Sequence, residues 1–387
     1  MRKLITLLLA FLSLNLWAAP ELSPEAEVTI LTCEPGTDLY SVFGHSAIRI
    51  NDPGRVDVVY NYGTFDFGSD FYLKFARGKL NYRLSRSNFA NFNYEYIVTE
   101  RAVWEQVLDL TPEEKQRFFD LLEDNYLPEN RYYLYDFFFD NCATRVRDML
   151  KETLGDDLEF RSTFQPDSIT FREMIDEYLV DQHWSDFGID IALGLPCDAK
   201  MQEEENMFLP DYIFSEFETA VILSGSGSRP LVKATREVLP VIEREPAFGI
   251  DGSLILTIVI ALLAMVHFFR VRSGKTVKYG IPRLVLIFLG LIGVGVFLLW
   301  FATDHVATKP NLNLLWAFPL HLIIAFMLKK SATWKYLYFR FFLFTYVVLL
   351  FFGIAFPQGF HPSFYPLFLA GVFTMARMLL PDSGKTV

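Results

Sequence analysis

The sequence is poor in the residues that build several common kinds of functional site. It has three cysteines and six histidines in 387 residues, none of them clustered at metal-ligand spacing, and it has no glycine-rich phosphate loop. We therefore predict no metal and no cofactor. A formal charge of −11 excludes nucleic-acid binding, and a hydrophobic content of 52% excludes a disordered chain.

Acidic residues are scarce in one region of the chain. Residues 251–387 contain 3 Asp and Glu against 12 Lys and Arg, whereas residues 21–250 contain 43 against 21. An acidic, water-facing region is thus followed by a basic, apolar region that is typical of a membrane domain. We predict an exported domain over residues 19–250 and a transmembrane domain over residues 251–387.

The N-terminus has the pattern of a secretory signal peptide. Arg2 and Lys3 precede a short apolar run that ends in the small residues Ala18 and Ala19, and we predict a signal peptide over residues 1–18. An uncleaved N-terminal anchor is the alternative. Both interpretations place the chain from residue 21 onward outside the cytoplasm.

Five apolar stretches follow residue 250, each near the length of a spanning helix. They are residues 253–269, 284–301, 314–328, 341–356 and 364–380. Lys and Arg fill the first and third connecting loops, while the second has only Lys309 and the fourth has none. By the positive-inside rule the first and third loops are cytoplasmic, which predicts a multi-pass membrane protein with its N-terminal domain outside the cytoplasm. The third stretch is the weakest, because it is short and contains Pro319 and His321, and a re-entrant third stretch would invert the later helices.

The pattern of the exported region favours an α+β fold. Strands are predicted at residues 28–33, 43–50 and 56–62, with turn signals between them. A helix is predicted from the capping Thr111 to about Leu122, and another from about residue 140 through Leu150. Residues 224–229, with two glycines, are expected to form a flexible loop, and residues 233–248 are expected to lead to the membrane.

Cys142 is the best candidate for a reactive thiol. An odd number of cysteines leaves at least one unpaired in an exported protein, unless it bonds to another chain. Cys142 lies at a predicted helix start, where backbone N–H groups and the helix dipole stabilise a thiolate and could later hold an oxyanion. Cys33 and Cys197 are expected to be either paired or buried. The alternative for Cys142 is an inert buried cysteine.

A thiolate nucleophile usually needs a base, and His45 is the better of two exported histidines. Period-two alternation places Ile48 and Ile50 on one strand face and His45 on the other. A third polar group should orient the imidazole, and we choose Asn61 over Asp57 or Asp66. The alternative for Asn61 is that it closes a turn.

Three separated motifs together resemble the Lnb N-terminal periplasmic domain family. They are residues 43–49 (FGHSAIR), 60–65 (YNYGTF) and 140–145 (DNCATR), and the likeness extends over residues 187–198 and the outer loop from Thr303 to Trp316. The family is similar to the circularly permuted papain-like group that includes NlpC-type peptidases and lecithin:retinol acyltransferases. The resemblance therefore implies a permuted papain-like fold with a catalytic His and Cys.

The resemblance also implies a lipoprotein N-acyltransferase. Such an enzyme transfers an acyl chain from a phospholipid, through a thioester on Cys142, to the N-terminal amine of a diacylated lipoprotein. Catalytic roles fall to Cys142, His45 and Asn61. Substrate contacts are expected from Asn141, Tyr40, Asp304 and His305. The basic, aromatic stretch 71–84 is expected either to rest on lipid headgroups or to be an ordinary polar surface.

Two rival functions remain open from sequence alone. A membrane-tethered cysteine peptidase or amidase acting on cell-wall peptide would use the same Cys and His pair. A non-catalytic assembly or binding module would leave Cys142 structural. Spacing does not separate transfer from hydrolysis, because the difference lies in the exclusion of water from the thioester.

Overall fold

A computed structural model describes residues 20–66, 68, 70–162, 164–165, 168–225, 227–242, 249–275, 278–329 and 333–380. The predicted signal peptide, residues 1–18, lies outside the described residues. Ten strands are present in this part of the chain: β1 (Glu27–Cys33), β2 (His45–Asp52), β3 (Val56–Thr64), β4 (Asn81–Asn88), β5 (Val103–Leu108), β6 (Tyr132–Leu134), β7 (Leu158–Glu159), β8 (Val221–Ser224), β9 (Gly227–Pro230) and β10 (Val232–Leu239).

Twelve α-helices accompany the strands within the same described ranges. They are α1 (Phe71–Ala76), α2 (Phe89–Val98), α3 (Pro112–Tyr126), α4 (Cys142–Leu154), α5 (Phe171–Leu179), α6 (His183–Ala192), α7 (Pro210–Thr219), α8 (Gly252–Arg272), α9 (Gly280–Phe301), α10 (Leu320–Phe326), α11 (Thr333–Phe352) and α12 (Phe364–Leu379).

The chain forms two compact units that are interleaved in sequence. The first, here called the sheet unit, comprises Met1–Gly68, Leu80–Gln165 and Glu203–Glu243. The second, the membrane unit, comprises Ser69–Lys79, Pro166–Gln202 and Arg244–Val387. Two segments that precede residue 250 therefore group with the helices that follow it, unlike the linear division predicted from composition.

The sheet unit is built on seven antiparallel strands in the order β10-β5-β1-β2-β3-β4-β6. Its main core lies between one face of the sheet and helices α3, α4 and α7, and includes Ile30, Ile48 and Ile50. The other face carries a smaller core with α2, in which Ala47 is fully buried. The predicted alternation in β2 is therefore confirmed, but its second face is covered by a helix.

Local signals account for the elements that were predicted. Helix α3 begins where Thr111 accepts a hydrogen bond from the Glu114 N–H and the Glu114 carboxylate accepts one from the Thr111 N–H. This capping box and the proline at the first helical position fix the start of the helix. The strands predicted at 28–33, 43–50 and 56–62 are confirmed as β1, β2 and β3.

The end of the sheet unit has more regular structure than the sequence indicated. Residues 224–229 were expected to be a flexible loop, but Ser224 ends β8 and residues 227–229 lie in β9, which pairs antiparallel with β8. Residues 233–248 were expected to lead to the membrane; their beginning lies in β10, which pairs with β5 at the edge of the large sheet, and residues 243–248 lie outside the described residues. Glycines at a hairpin turn give the same local signal as a flexible loop, and strand pairing over more than 100 residues has no local signal.

Within the residues that the structure describes, the membrane unit has three helices that are long and apolar enough to cross a membrane. They are Gly252–Arg272, Gly280–Phe301 and Thr333–Ala355, the last including a terminal 3₁₀ turn, and two shorter apolar helical stretches are Leu312–Phe326 and Phe364–Leu379. The predicted third stretch is thus helical but broken, with a 3₁₀ turn before Pro319 and α10 after it. Proline lacks the N–H that would continue the helix through this point.

The broken stretch packs closely against α9. A Cβ atom at Gly290 would lie 2.3 Å from the Leu322 backbone nitrogen, and one at Gly293 would lie 2.1 Å from the Ala317 carbonyl oxygen. Small residues at these two positions therefore permit a backbone approach that a side chain would block. At the end of α10, Arg283 and Lys335 donate to the carbonyls of Ala325 and Met327 at 3.1 and 2.8 Å.

Candidate active site

Cys142 is the first residue of α4, and the residues around it fix the start of that helix. The side-chain oxygen of Asn141 accepts hydrogen bonds from the N–H groups of Ala143 and Thr144 at 2.8 and 2.9 Å. Its amide nitrogen donates to the carbonyls of Phe137 and Phe208 at 2.7 and 2.8 Å. These bonds occupy the whole buried amide and position the start of the helix, while the substrate contact of Asn141 stays a prediction.

His45 is the first residue of β2, opposite Cys33 in the register with β1. The chain enters the strand through Gly44, which has φ of +73°, and a Cβ there would lie 2.9 Å from the Cys33 carbonyl oxygen. Only glycine fits this combination of positive φ and close approach. The strand start is therefore fixed at the residue that carries the imidazole.

The structure brings His45, Asn61 and Cys142 together within the sheet unit. The His45 Nε2 lies 2.7 Å from the Asn61 Oδ1, on the neighbouring strand β3. This contact makes Nε2 the donor, because an amide oxygen only accepts. His45 makes a second side-chain hydrogen bond with Cys142. The two rival orienting residues are engaged elsewhere, Asp57 with Arg49 at 2.7 Å and Asp66 with Arg83 at 3.0 Å.

The electrostatics of the pair favour a thiolate and an imidazolium. Burial raises the pKa of the Cys142 thiol, but the charge and hydrogen bond of His45 and the N–H groups of Ser46 and Cys142 outweigh it, so the pKa lies below its ordinary value. Burial lowers the pKa of His45, but Cys142 and the hydrogen bond with Asn61 outweigh it and hold that pKa above its ordinary value. Opposite shifts of this kind stabilise the ion pair over a wider pH range.

Gly63 and Tyr135 also border the thiol and were not predicted as site residues. Gly63 has φ of +86°, and a Cβ there would lie 3.6 Å from both the Cys142 Cβ and the Tyr135 ring. Tyr135 stacks on Tyr82 with ring centroids 4.4 Å apart. Asn61 itself does not close a turn, because it lies within β3 and pairs with Ser85 of β4. Gly63, two residues after Asn61, is the sequence signal from which this side of the site could have been predicted.

Tyr40 lies in the exposed stretch before His45, with 75% of its surface accessible. The loops that lead to the two reactive residues meet, since the rings of Phe43 and Phe137 are 4.8 Å apart. Leu39 and Phe139 on these loops are also about half exposed. The approaches to His45 and Cys142 therefore carry apolar side chains that face solvent.

The remaining predicted contacts, Asp304 and His305, lie in the membrane unit. Asp304 pairs with Lys79 at 3.4 Å, and a His305 ring nitrogen lies 3.1 Å from the Phe75 carbonyl oxygen. The structure thus gives both residues partners within α1 and the turn that follows it. None of the three cysteines forms a disulfide, and Cys33 and Cys197 are buried.

A second group of ionisable side chains lies on α5 and α6 in the membrane unit. Oxygens of Asp176, Asp186 and Asp190 lie within 4.8 Å of one another, which no spacing in the sequence predicted. Arg172 and His361 neutralise the group by pairing with Asp190 and Asp186. It is the one group with metal-ligand geometry among the residues that the structure describes.

Comparison with known families gives two matches. The Lnb N-terminal periplasmic domain family matches residues 16–177, and the Lnb transmembrane domain family matches residues 249–381. The chain belongs to the Lnb family. Its N-terminal domain is periplasmic, and its C-terminal domain is a helical domain that spans the membrane several times. Neither a curated protein nor a solved structure matches this Lnb family protein.

Proposed function

We propose that this Lnb family protein is a lipoprotein N-acyltransferase that works through a thioester on Cys142. The observation that supports this most is the hydrogen bond from His45 to Asn61, which aims the imidazole at a thiol on the first residue of a helix. Such an arrangement is that of a permuted papain-like thiol site, in which the histidine strand precedes the cysteine helix. It supplies a nucleophile, a base and an orienting group.

In the first step the Cys142 thiolate attacks the carbonyl carbon of a phospholipid ester. The new carbon–sulfur bond forms as the ester carbon–oxygen bond breaks, and the His45 imidazolium gives its proton to the departing alkoxide. The Cys142 backbone N–H, at the positive end of the helix dipole, holds the oxyanion of the tetrahedral intermediate. A lysophospholipid leaves, and the acyl chain remains on sulfur.

In the second step the N-terminal amine of a diacylated lipoprotein attacks the thioester. His45, now neutral, takes a proton from the amine as the carbon–nitrogen bond forms and the carbon–sulfur bond breaks. The products are an amide and the original ion pair. The membrane domain supports this function, because donor and acceptor both reside in a bilayer, and the exposed Leu39, Tyr40 and Phe139 suit an apolar substrate.

The test uses full-length protein in nanodiscs with labelled phospholipid and a synthetic diacylated lipopeptide that has a free α-amine. We expect equal amounts of N-acylated lipopeptide and lysophospholipid, none from Cys142→Ala, and unchanged amounts from Cys197→Ala, which removes a cysteine outside the site. A lipopeptide with a blocked amine should accept no acyl chain. Release of peptide from cell wall without acyl transfer would instead identify a peptidase, and full activity in both Cys142→Ala and His45→Ala would exclude either enzyme.

A further inference from the structure

Residues 70–79, here called the interfacial segment, connect β3 to β4 in sequence but belong to the membrane unit. The segment consists of α1 and the turn after it, and the function proposed above does not use it. Its sequence combines basic residues with apolar ones in an otherwise acidic N-terminal region. Its position, exposure and charge together indicate what it contacts.

Backbone contacts fix the interfacial segment to the loop that follows α9. The Asp304 N–H donates to the Arg77 carbonyl oxygen at 2.9 Å, and a His305 ring nitrogen lies 3.1 Å from the Phe75 carbonyl oxygen. Gly78 has φ of +66°, and a Cβ there would lie 3.1 Å from the His305 nitrogen. The segment therefore lies directly against this loop.

The end of α9 sets the height of the segment relative to the bilayer. Helix α9 is a candidate membrane span that ends at Phe301, and Leu298 and Phe301 near that end are more than half exposed, as lipid-facing residues are. Asp304 is three residues further on, a reach of at most about 10 Å. The headgroup region adds roughly 5–7 Å on each side of the hydrocarbon core. The segment therefore lies within about 10 Å of the end of the candidate span, a distance comparable to the thickness of the headgroup region.

The exposed chemistry of the segment suits the headgroup region. Leu73 and Phe75 are 61% and 53% exposed, and two residues apart on a helix they point to different faces. Lys74, Arg77 and Lys79 are exposed as well. Lys74 pairs with Asp70 and Lys79 with Asp304, whereas the described residues provide no ion-pair partner for the Arg77 guanidinium.

We propose that the interfacial segment is a membrane-surface anchor whose occupant is the outer-leaflet phospholipid of the surrounding bilayer. Leu73 inserts among the upper parts of the acyl chains, Phe75 on the other helix face packs among the lipid headgroups, and Arg77 binds a lipid phosphate. In addition to the spanning helices, this contact with lipid holds the interfacial segment at the bilayer surface. The anchor requires no chemistry at Cys142.

The test measures depth with a fluorophore that is sensitive to its environment. Single cysteines replace Leu73 or Phe75 in the Cys142→Ala protein, whose other two cysteines are buried, and each is labelled and placed in nanodiscs with nitroxide-bearing lipids. Matched references are Leu298→Cys for the acyl-chain region and Glu113→Cys for the aqueous surface. We expect blue-shifted emission from the labels at positions 73 and 75. Nitroxides near the lipid headgroup should quench this emission, while the emission of the Glu113 label should not change.

Emission at positions 73 and 75 that matches the Glu113 reference would overturn the anchor. So would labels that become shielded only when a lipopeptide acceptor is added and that nitroxide lipids never quench, because the occupant would then be a protein partner. An Arg77→Ala variant should weaken the quenching more in anionic than in zwitterionic nanodiscs. Since the protein lacks Cys142, none of these results depends on the proposed acyl transfer.

Discussion

Two clusters of buried ionisable groups, one in each unit of the chain, differ in what their charges do. In the sheet unit, the pKa of the Cys142 thiol lies below its ordinary value and that of His45 lies above it, because the charge and hydrogen bond of each partner outweigh the effect of burial. In the membrane unit, Arg172 carries a permanent charge that Asp190 and Asp198 neutralise. Under the function proposed above, the first cluster moves a proton during the reaction, whereas the ion pairs of Arg172 are structural.

The hydrogen-bonding capacity of the two clusters explains this difference. The Arg172 guanidinium donates to Asp190, to both oxygens of Asp198 and to backbone carbonyls, while only 5% of its side chain is exposed. The Arg172 side chain is therefore held by the protein itself. His45 makes one hydrogen bond with Asn61 and a second with the partly exposed Cys142 thiol. The proposed reaction depends on this second hydrogen bond.

The largest expected effect on stability follows from Arg172→Met. Removing one partner from a buried ion pair typically costs about 3–5 kcal/mol, because the carboxylates of Asp190 and Asp198 would lack a countercharge. We expect a clear fall in the thermal unfolding midpoint of the purified protein. The control Lys200→Ala removes an exposed pair with Glu173 at 3.8 Å and should cost less than about 0.5 kcal/mol. If Arg172→Met left stability unchanged and instead abolished the reactivity of the Cys142 thiol, the roles assigned to the two clusters would be contradicted.

A smaller effect, on activity, is expected from Asn61→Ala. Loss of one hydrogen bond to the imidazole, about 1.4 kcal/mol, should lower acyl transfer about tenfold. Asn61 helps to raise the pKa of His45, and the imidazolium is lost as pH rises through that pKa, so the alkaline limb of the pH profile should move to lower pH. The control Asp66→Asn, which alters an exposed pair with Arg83, should leave the profile unchanged. A uniform loss of activity at every pH would show that Asn61 only supports the fold.

A third effect, on how stability depends on pH, is expected from Asp176→Asn in the acidic group. Burial, followed by the charges of Asp190 and Asp186, raises the pKa of Asp176 to about 7. The folded protein therefore keeps a proton that the unfolded chain loses near pH 4, and stability falls as pH rises from about 4 to 7. The variant should lack this fall, a difference of about 2 kcal/mol between pH 5 and pH 7.5 in denaturant unfolding. His361 titrates in both proteins, and an identical pH dependence in the two would contradict a raised pKa for Asp176.

The two clusters also differ in how far the sequence predicted them. The cluster of Cys142 and His45 was predicted from local signals, namely the capping Asn141 before Cys142 and the alternating strand at His45. The charged loops that orient the membrane helices are also a local signal. The second cluster depends on contacts between distant segments. The side chains of Asn311 and Asn313 donate to the carbonyls at the end of α6, more than 100 residues away in sequence. Amide-to-carbonyl contacts of this kind leave no periodic trace in a sequence.

Helix breaks and strand edges were likewise harder to predict than helix starts. Pro319 marked a weak point in the third apolar stretch, but only the close approach of Gly290 and Gly293 shows why the broken stretch is accommodated there. Strand β10 occupies an edge of the sheet through pairing with β5, and its alternation alone could not distinguish a sheet edge from a linker. The residues around Cys142 could therefore be predicted from local sequence, whereas the packing of distant segments could not.

The most direct test of the central claim is the mass of the protein after incubation with phospholipid in the absence of an acceptor. We expect a gain of one acyl chain, removed by hydroxylamine as a thioester is, and located by peptide mapping on Cys142. The Cys142→Ala protein should gain none, and His45→Ala should acquire the chain about 10³-fold more slowly. Acyl transfer to a lipopeptide that proceeds with no acyl chain ever found on Cys142 would contradict the account.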